Sequence, residues 1–223
     1  MGSVNPFCLC TWRDEAECEG CELRGKLNCR WRREDLRGFL LIVIPFAATA
    51  VPGMYIAGRV TGSWLLQALY IAFIVVFFTL LESRILCRHC PFYSRTGFTL
   101  RCYANHGLPK LWGYQPSPAG RWERAIVVVS FAVFGGLPLL TELTGLQAVY
   151  AGGLGGTAEI AFAGLVAATF LAVVSGFTLL SLFYCPRCVN FSCPFNRVEE
   201  GLREKYLDKN PVIAAAWRSL NQR

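Results

Sequence analysis

Nine of the eleven cysteines in this chain fall into three triplets of one design, a C-x2-C pair with a third cysteine a short way on. They are Cys18, Cys21 and Cys29; Cys87, Cys90 and Cys102; and Cys185, Cys188 and Cys193. A C-x2-C turn aims two thiolates at one metal ion or cluster. Long apolar segments with almost no charge separate the triplets. That pattern points to metal centres held at a bilayer surface.

Of the 223 residues, 54% are hydrophobic and 17% charged, and much of the apolar content lies in runs too uniform for an amphipathic surface helix. The pattern predicts four membrane spans, roughly Leu36–Ile56, Trp64–Leu86, Ala125–Leu143 and Ala158–Tyr184. Pro45 and Pro52 interrupt the first and Pro138 the third, which a membrane helix accommodates when neighbours satisfy the freed carbonyls. The first apolar stretch lies too late and is too long for a cleaved signal peptide.

Basic residues set the expected orientation. Seven Lys/Arg lie up to Arg37, seven from Arg84 to Arg124 and seven from Arg187 onward, leaving Arg59 alone between the first two spans. The positive-inside rule then places both termini, the central loop and every Cys-rich segment in the cytoplasm. The net charge of +7 is accounted for by a basic inner membrane face, so no nucleic-acid partner is needed. Cytoplasmic thiols stay reduced, which argues for metal ligation over a disulfide framework.

The predicted fold is an all-α integral membrane protein of four transmembrane helices with Cys-rich metal-binding loops. Its segments are a Cys-rich arm (1–35), a first helix pair (36–86), a Cys-rich loop (87–124), a second helix pair (125–184) and a Cys-rich tail with amphipathic helices (185–223). Both halves run from a Trp/Arg/Glu cluster through a proline-bearing span to a second span that ends on C-x2-C. Cys-Pro-Phe follows in each, at Cys90–Phe92 and Cys193–Phe195, an order that suggests an internal duplication. The tail helices are expected to pack under the bundle or lie in the headgroup layer. Gly152–Gly156 reads as a flexible outer connection, with Glu142 and Glu159 as solvated carboxylates beside it. Glu82, near the inner end of the second span, is expected to pair with an arginine.

The triplets supply three ligands each, and a four-ligand centre needs one more. Cys8, Cys10 and His106 are the candidates, with His89 behind them. His106 follows Cys102 by four residues, a C-x3-H spacing familiar in zinc knuckles. Cys8 and Cys10 have alternative readings as free thiols, redox or metal sensors, or acylation sites. Cys90-Pro91 and Cys193-Pro194 fit the habit of iron–sulfur ligands, while Cys185-Pro-Arg-Cys188 suits a zinc turn equally.

The layout of these two loops resembles that of the membrane iron–sulfur subunits associated with periplasmic nitrate and nitrous-oxide reduction. That family uses C-x3-C-P, usually ahead of a ferredoxin-like domain. This chain has Cys87-x2-Cys90-Pro91 and Cys188-x4-Cys193-Pro194, and no ferredoxin-like run.

The expected function is that of an integral-membrane iron–sulfur electron-transfer subunit of a larger redox complex, in contact with lipid and other subunits. It would link a cytoplasmic partner to a quinone or another acceptor at the inner face. Any enzymatic role is that of an electron-transfer subunit of an oxidoreductase complex. The alternative is a zinc-stabilised membrane scaffold or assembly subunit with no redox activity. No Ser/His/Asp set, paired intramembrane carboxylates or H-E-x-x-H supports a hydrolase. No histidine lies within a span, so a transmembrane haem is excluded.

Overall fold

The structure, a computed structural model, describes residues 5–153 and 156–221. Among them there is no strand, only isolated bridges of Arg24 with Leu27 and Thr99 with Pro109. The helices are α1 (Arg33–Thr61), α2 (Leu65–Val76), α3 (Arg121–Gly152), α4 (Gly156–Leu179), α5 (Glu200–Asp208) and α6 (Pro211–Asn221). After α2 the backbone continues as a π-helix, Phe77–Leu86, and then tightens into a 3-10 turn, Cys87–His89. After α4 the same sequence of windings occurs, π over Leu180–Tyr184 and 3-10 over Cys185–Arg187.

Four helical runs are long and apolar enough to cross a membrane: Arg33–Thr61, Leu65–His89, Arg121–Gly152 and Gly156–Arg187. Large apolar side chains stand exposed on them, among them Leu41 at 73%, Ile71 at 65% and Ile160 at 73%. So much contiguous apolar surface is incompatible with water and suited to lipid.

Local chemistry sets the ends of these helices. Glu34 and Asp35 in the first turn of α1 complement its dipole, and Gly62 ends it at φ +68, a left-handed value that glycine adopts freely. At the start of α3, Glu123 reaches back to accept the Gly120 N–H at 2.7 Å, half of a capping box. Asn210 precedes Pro211 at the first position of α6, where proline's missing N–H costs nothing.

The chain divides into two compact units. One consists of Gly38–Val76 and Val129–Leu180, the apolar bodies of the spans. Pro138 cannot donate to the carbonyl of Phe134, and the Tyr70 hydroxyl donates to that carbonyl instead at 3.2 Å. Small residues let α1 and α3 approach closely. A Cβ added at Gly145 would lie 2.6 Å from the Ala57 Cβ, and one at Gly53 would lie 2.1 Å from Glu142 Oε1. Ala57, Val149 and Phe162 form the buried cluster beside this contact.

Glu142 overturns its sequence reading. It is fully buried, because α3 continues to Gly152 rather than ending near Leu143, and Gly53 of α1 and Thr169 of α4 enclose its carboxyl. The connection read over Gly152–Gly156 includes Leu154 and Gly155, which lie outside the described residues.

The other unit consists of Met1–Arg37, Phe77–Val128 and Ser181–Arg223, so the three Cys-rich segments fold together with the tail helices. Tyr206 of α5 is fully buried there, and Trp217 of α6 packs edge-on against Phe191.

Gly145→Val places branched carbon where Ala57 already sits. It is expected to destabilise the folded protein by about 1–3 kcal/mol, read as a lower melting temperature in detergent, while Gly164→Ala, in open space, leaves it unchanged.

Candidate functional site

The C-x2-C segments form tight turns closed by backbone bonds, Cys21 N–H to Cys18 O at 3.2 Å and Cys90 N–H to Cys87 O at 2.9 Å. Such a turn brings both thiols to one side of the chain. The sulfurs are then met by donors. The backbone amides of Phe92, Ala104, Asn190 and Phe195, each two residues on, favour the charged form of Cys90, Cys102, Cys188 and Cys193. Side chains add to this set. Asn105 Nδ2 donates to Cys87 Sγ at 3.2 Å, Asn210 Nδ2 to Cys10 Sγ at 3.1 Å, and Arg30 to Cys18 Sγ at 3.4 Å. The Tyr103 hydroxyl donates to Cys188.

Polar side chains also fasten the segments to one another. Asn210, fully buried, accepts from the Cys10 N–H at 2.8 Å and donates to the Tyr206 carbonyl at 2.7 Å. Thr11 and Tyr206 share a hydrogen bond of 2.8 Å. Trp12 Nε1 donates to Pro91 O and Ser94 Oγ, both at 3.1 Å. Asn190 Nδ2 donates to Leu86 O at 3.2 Å, and Asn196 Nδ2 to Cys188 O at 2.6 Å. The Asn28 N–H reaches Arg187 O at 2.7 Å. Together these bonds join arm, central loop and tail.

The thiols fall into two electrostatically linked sets. Cys29 feels the charge of Cys10, Cys21 and Cys18. Across the second and third triplets, Cys87 feels the charge of Cys102 and Cys193, Cys90 that of Cys102 and Cys188, and Cys193 that of Cys188 and Cys185. Cys8 lies exposed, with φ +51. His106 stacks on Trp31, centroids 5.1 Å apart, and buried His89 bonds through Nδ1 to Ser117 O. Among the described residues, no three His, Cys, Asp or Glu side chains converge closely enough to hold a metal ion.

Burial dominates the acid–base behaviour of these groups. It pushes the Cys29 thiol up to about 12, with Cys10, Cys21 and Cys18 adding repulsion. It pushes Cys102 up to about 11 and Cys193 to about 12. Cys90 also rises through burial, and Cys188 rises against the donors Tyr103 and Asn190. Such thiols hold their protons at neutral pH unless a cation displaces them.

Beside the first set lies a cavity of about 240 Å³, lined by Arg13, Arg30, Arg95 and Arg101 with Trp12 and Trp31. The Arg95 guanidinium sits over Trp12 at 5.0 Å. One carboxylate, Asp14, faces the four cations there.

Sequence spacing identified the cysteines but not the residues that meet them. Asn105, Asn190, Asn196 and Tyr103 carried no periodic or motif signal. Tyr206 falls on a four-residue apolar repeat with Val198 and Leu202, and Asn210 directly precedes Pro211, the signature of a helix start. Compared with family profiles, curated proteins and solved structures, the chain matches none.

Asn210→Ala removes three bonds at one buried position. It is expected to cost about 1–3 kcal/mol and to raise the rate at which maleimide alkylates Cys10, followed by peptide mass spectrometry. Alkylation of Cys8, already exposed, serves as the unchanged reference.

Proposed function

We propose that the chain is an integral-membrane electron-transfer subunit whose two thiol sets hold iron–sulfur clusters. One centre draws on Cys10, Cys18, Cys21 and Cys29, the other on Cys87, Cys90, Cys102, Cys185, Cys188 and Cys193. The reading is carried by the ring of N–H and O–H donors around the sulfurs. Neutral, inert cysteines have little use for such donors, whereas thiolates bound to iron are held and electronically tuned by them. When bound, the clusters supply one-electron exchange.

The protein's own residues supply the rest. The buried tyrosines Tyr103 and Tyr206 keep water from the sulfurs, and the asparagines fix the loops that carry them. The arginine-lined cavity beside Cys18 favours an acidic surface on a soluble donor or acceptor. Basic residues flanking the spans favour an inner-face location. Cys87 and Cys185 lie in the last residues of membrane-spanning runs, where a lipophilic acceptor such as a quinone is reached from the interface. His89 is the last residue of its membrane-spanning run and no histidine lies deeper, so electrons stay on that face and pass to other subunits there.

The test is anaerobic purification in detergent, with visible and low-temperature EPR spectra before and after dithionite and assays of iron, sulfide and zinc. The expected sample is brown, carries stoichiometric iron and sulfide, and bleaches on reduction. Cys29→Ser and Cys188→Ser are each expected to abolish a different EPR component. A colourless protein with near-integral zinc would refute electron transfer and favour a scaffold.

A further inference from the structure

In the unit formed by Gly38–Val76 and Val129–Leu180, Glu142 stands apart from every other charged group. Ten residues separate it from the end of α3 at Gly152, about 15 Å along the axis. Thr169 lies thirteen residues into α4, about 20 Å from Gly156. Against a hydrocarbon core about 30 Å thick, the carboxyl sits near mid-depth. An ionisable side chain there is costly, and it persists in membrane helices where it moves or binds charge.

The surroundings form a small polar site with unfilled bonding capacity. Glu142 is fully buried, and its Oε2 has no hydrogen-bond partner among the described residues. Gly53 makes room for Oε1. On the next residue of α1, Met54, the carbonyl accepts Gln67 Nε2 at 2.8 Å, while Gln67 Oε1 is buried and also without a partner. Two side chains that each carry an unsatisfied oxygen thus meet successive residues of α1.

Thr169 provides the means of switching. Its hydroxyl lies 2.9 Å from Glu142 Oε1 and 3.1 Å from the Leu165 carbonyl. A hydroxyl has a single proton to donate. With Glu142 ionised, Thr169 donates to the carboxylate. With Glu142 protonated, the acid donates to Thr169, whose own proton turns to Leu165 O. Rotation of one O–H thus keeps the Oε1–Thr169 hydrogen bond in both protonation states, with no movement of heavy atoms.

We propose that Glu142 is a reversible proton-binding site within the membrane bundle, with Thr169 as its positioning residue. One carboxylate and one hydroxyl fall well short of the six to eight oxygens a calcium ion takes, which leaves the proton as the fitting ligand. The other titratable groups of this unit are Arg59, Glu159, Tyr55, Tyr70 and Tyr150. The elements packed on the carboxyl turn Gly53 and Thr169 toward it, and the Tyr70 hydroxyl is engaged by Phe134 O. The site stands independently of the thiol chemistry.

The experiment is labelling of the full chain in detergent with dicyclohexylcarbodiimide, which modifies protonated carboxyls in apolar surroundings, across acid to alkaline buffers. Peptide mass spectrometry reads the product. The expected result is label on Glu142 that declines with rising pH through a single midpoint and is lost in Glu142→Gln. Thr169→Ser is expected to keep the midpoint. Thr169→Val removes the donor to the charged form and is expected to move the midpoint to higher pH. Absence of label at every pH would overturn the proposal, as would label independent of pH, which marks a permanently neutral interhelical contact. A midpoint indifferent to Thr169→Val would remove Thr169 from its role.

Discussion

A Cys-rich unit assembled from three separate stretches of chain buries polar groups of arm, loop and tail along with its apolar side chains. Its folding therefore depends on satisfying buried polar groups, each of which is costly if left unpaired. Asn210 meets that constraint most compactly. One side chain receives the Cys10 N–H, donates to the Cys10 sulfur and closes the end of α5 through the Tyr206 carbonyl. Asn190, Asn196 and Asn105 do comparable work around the other thiols. Packing then follows from these bonds, with Leu9, Leu23, Phe92, Val189 and Tyr206 filling the space between them.

This arrangement links local winding to chemistry. The π-helical segments Phe77–Leu86 and Leu180–Tyr184 each hand the chain to a 3-10 turn bearing a C-x2-C pair. Wide turns of this kind shift the register of the following residues and recur at functional sites. The turns aim the sulfurs, the amides two residues on favour their charged form, and burial keeps unbound thiols protonated. The same low-polarity surroundings that raise the thiols strengthen the N–H···S bonds once the sulfur carries charge.

Much of this was legible from the chain alone, and the rest was hidden for identifiable reasons. Long apolar runs announced the four helices, since lipid demands continuous apolar length. C-x2-C spacing announced the thiol pairs, because that geometry is local. Which triplets meet is a matter of tertiary contact, and spacing is silent on it. Cys10 is held by Asn210, two hundred residues away in the chain. Glu142 was misplaced for the same reason. A hydropathy window treats a carboxylate as the end of a span, while the groups that accommodate it, Gly53 and Thr169, lie on other helices.

The proposed function rests on ten cysteines holding metal in two sets, one of four and one of six, with Cys8 outside both. Differential alkylation of the anaerobically purified protein tests it directly: one isotopic form of iodoacetamide before chelation and denaturation, a second form after, and peptide mass spectrometry to count both. The account predicts rapid first-stage labelling of Cys8, protection of the other ten, and loss of protection on chelation in two groups with the stated membership. Equal first-stage labelling of all eleven, or deprotection by the three sequence triplets, would contradict it.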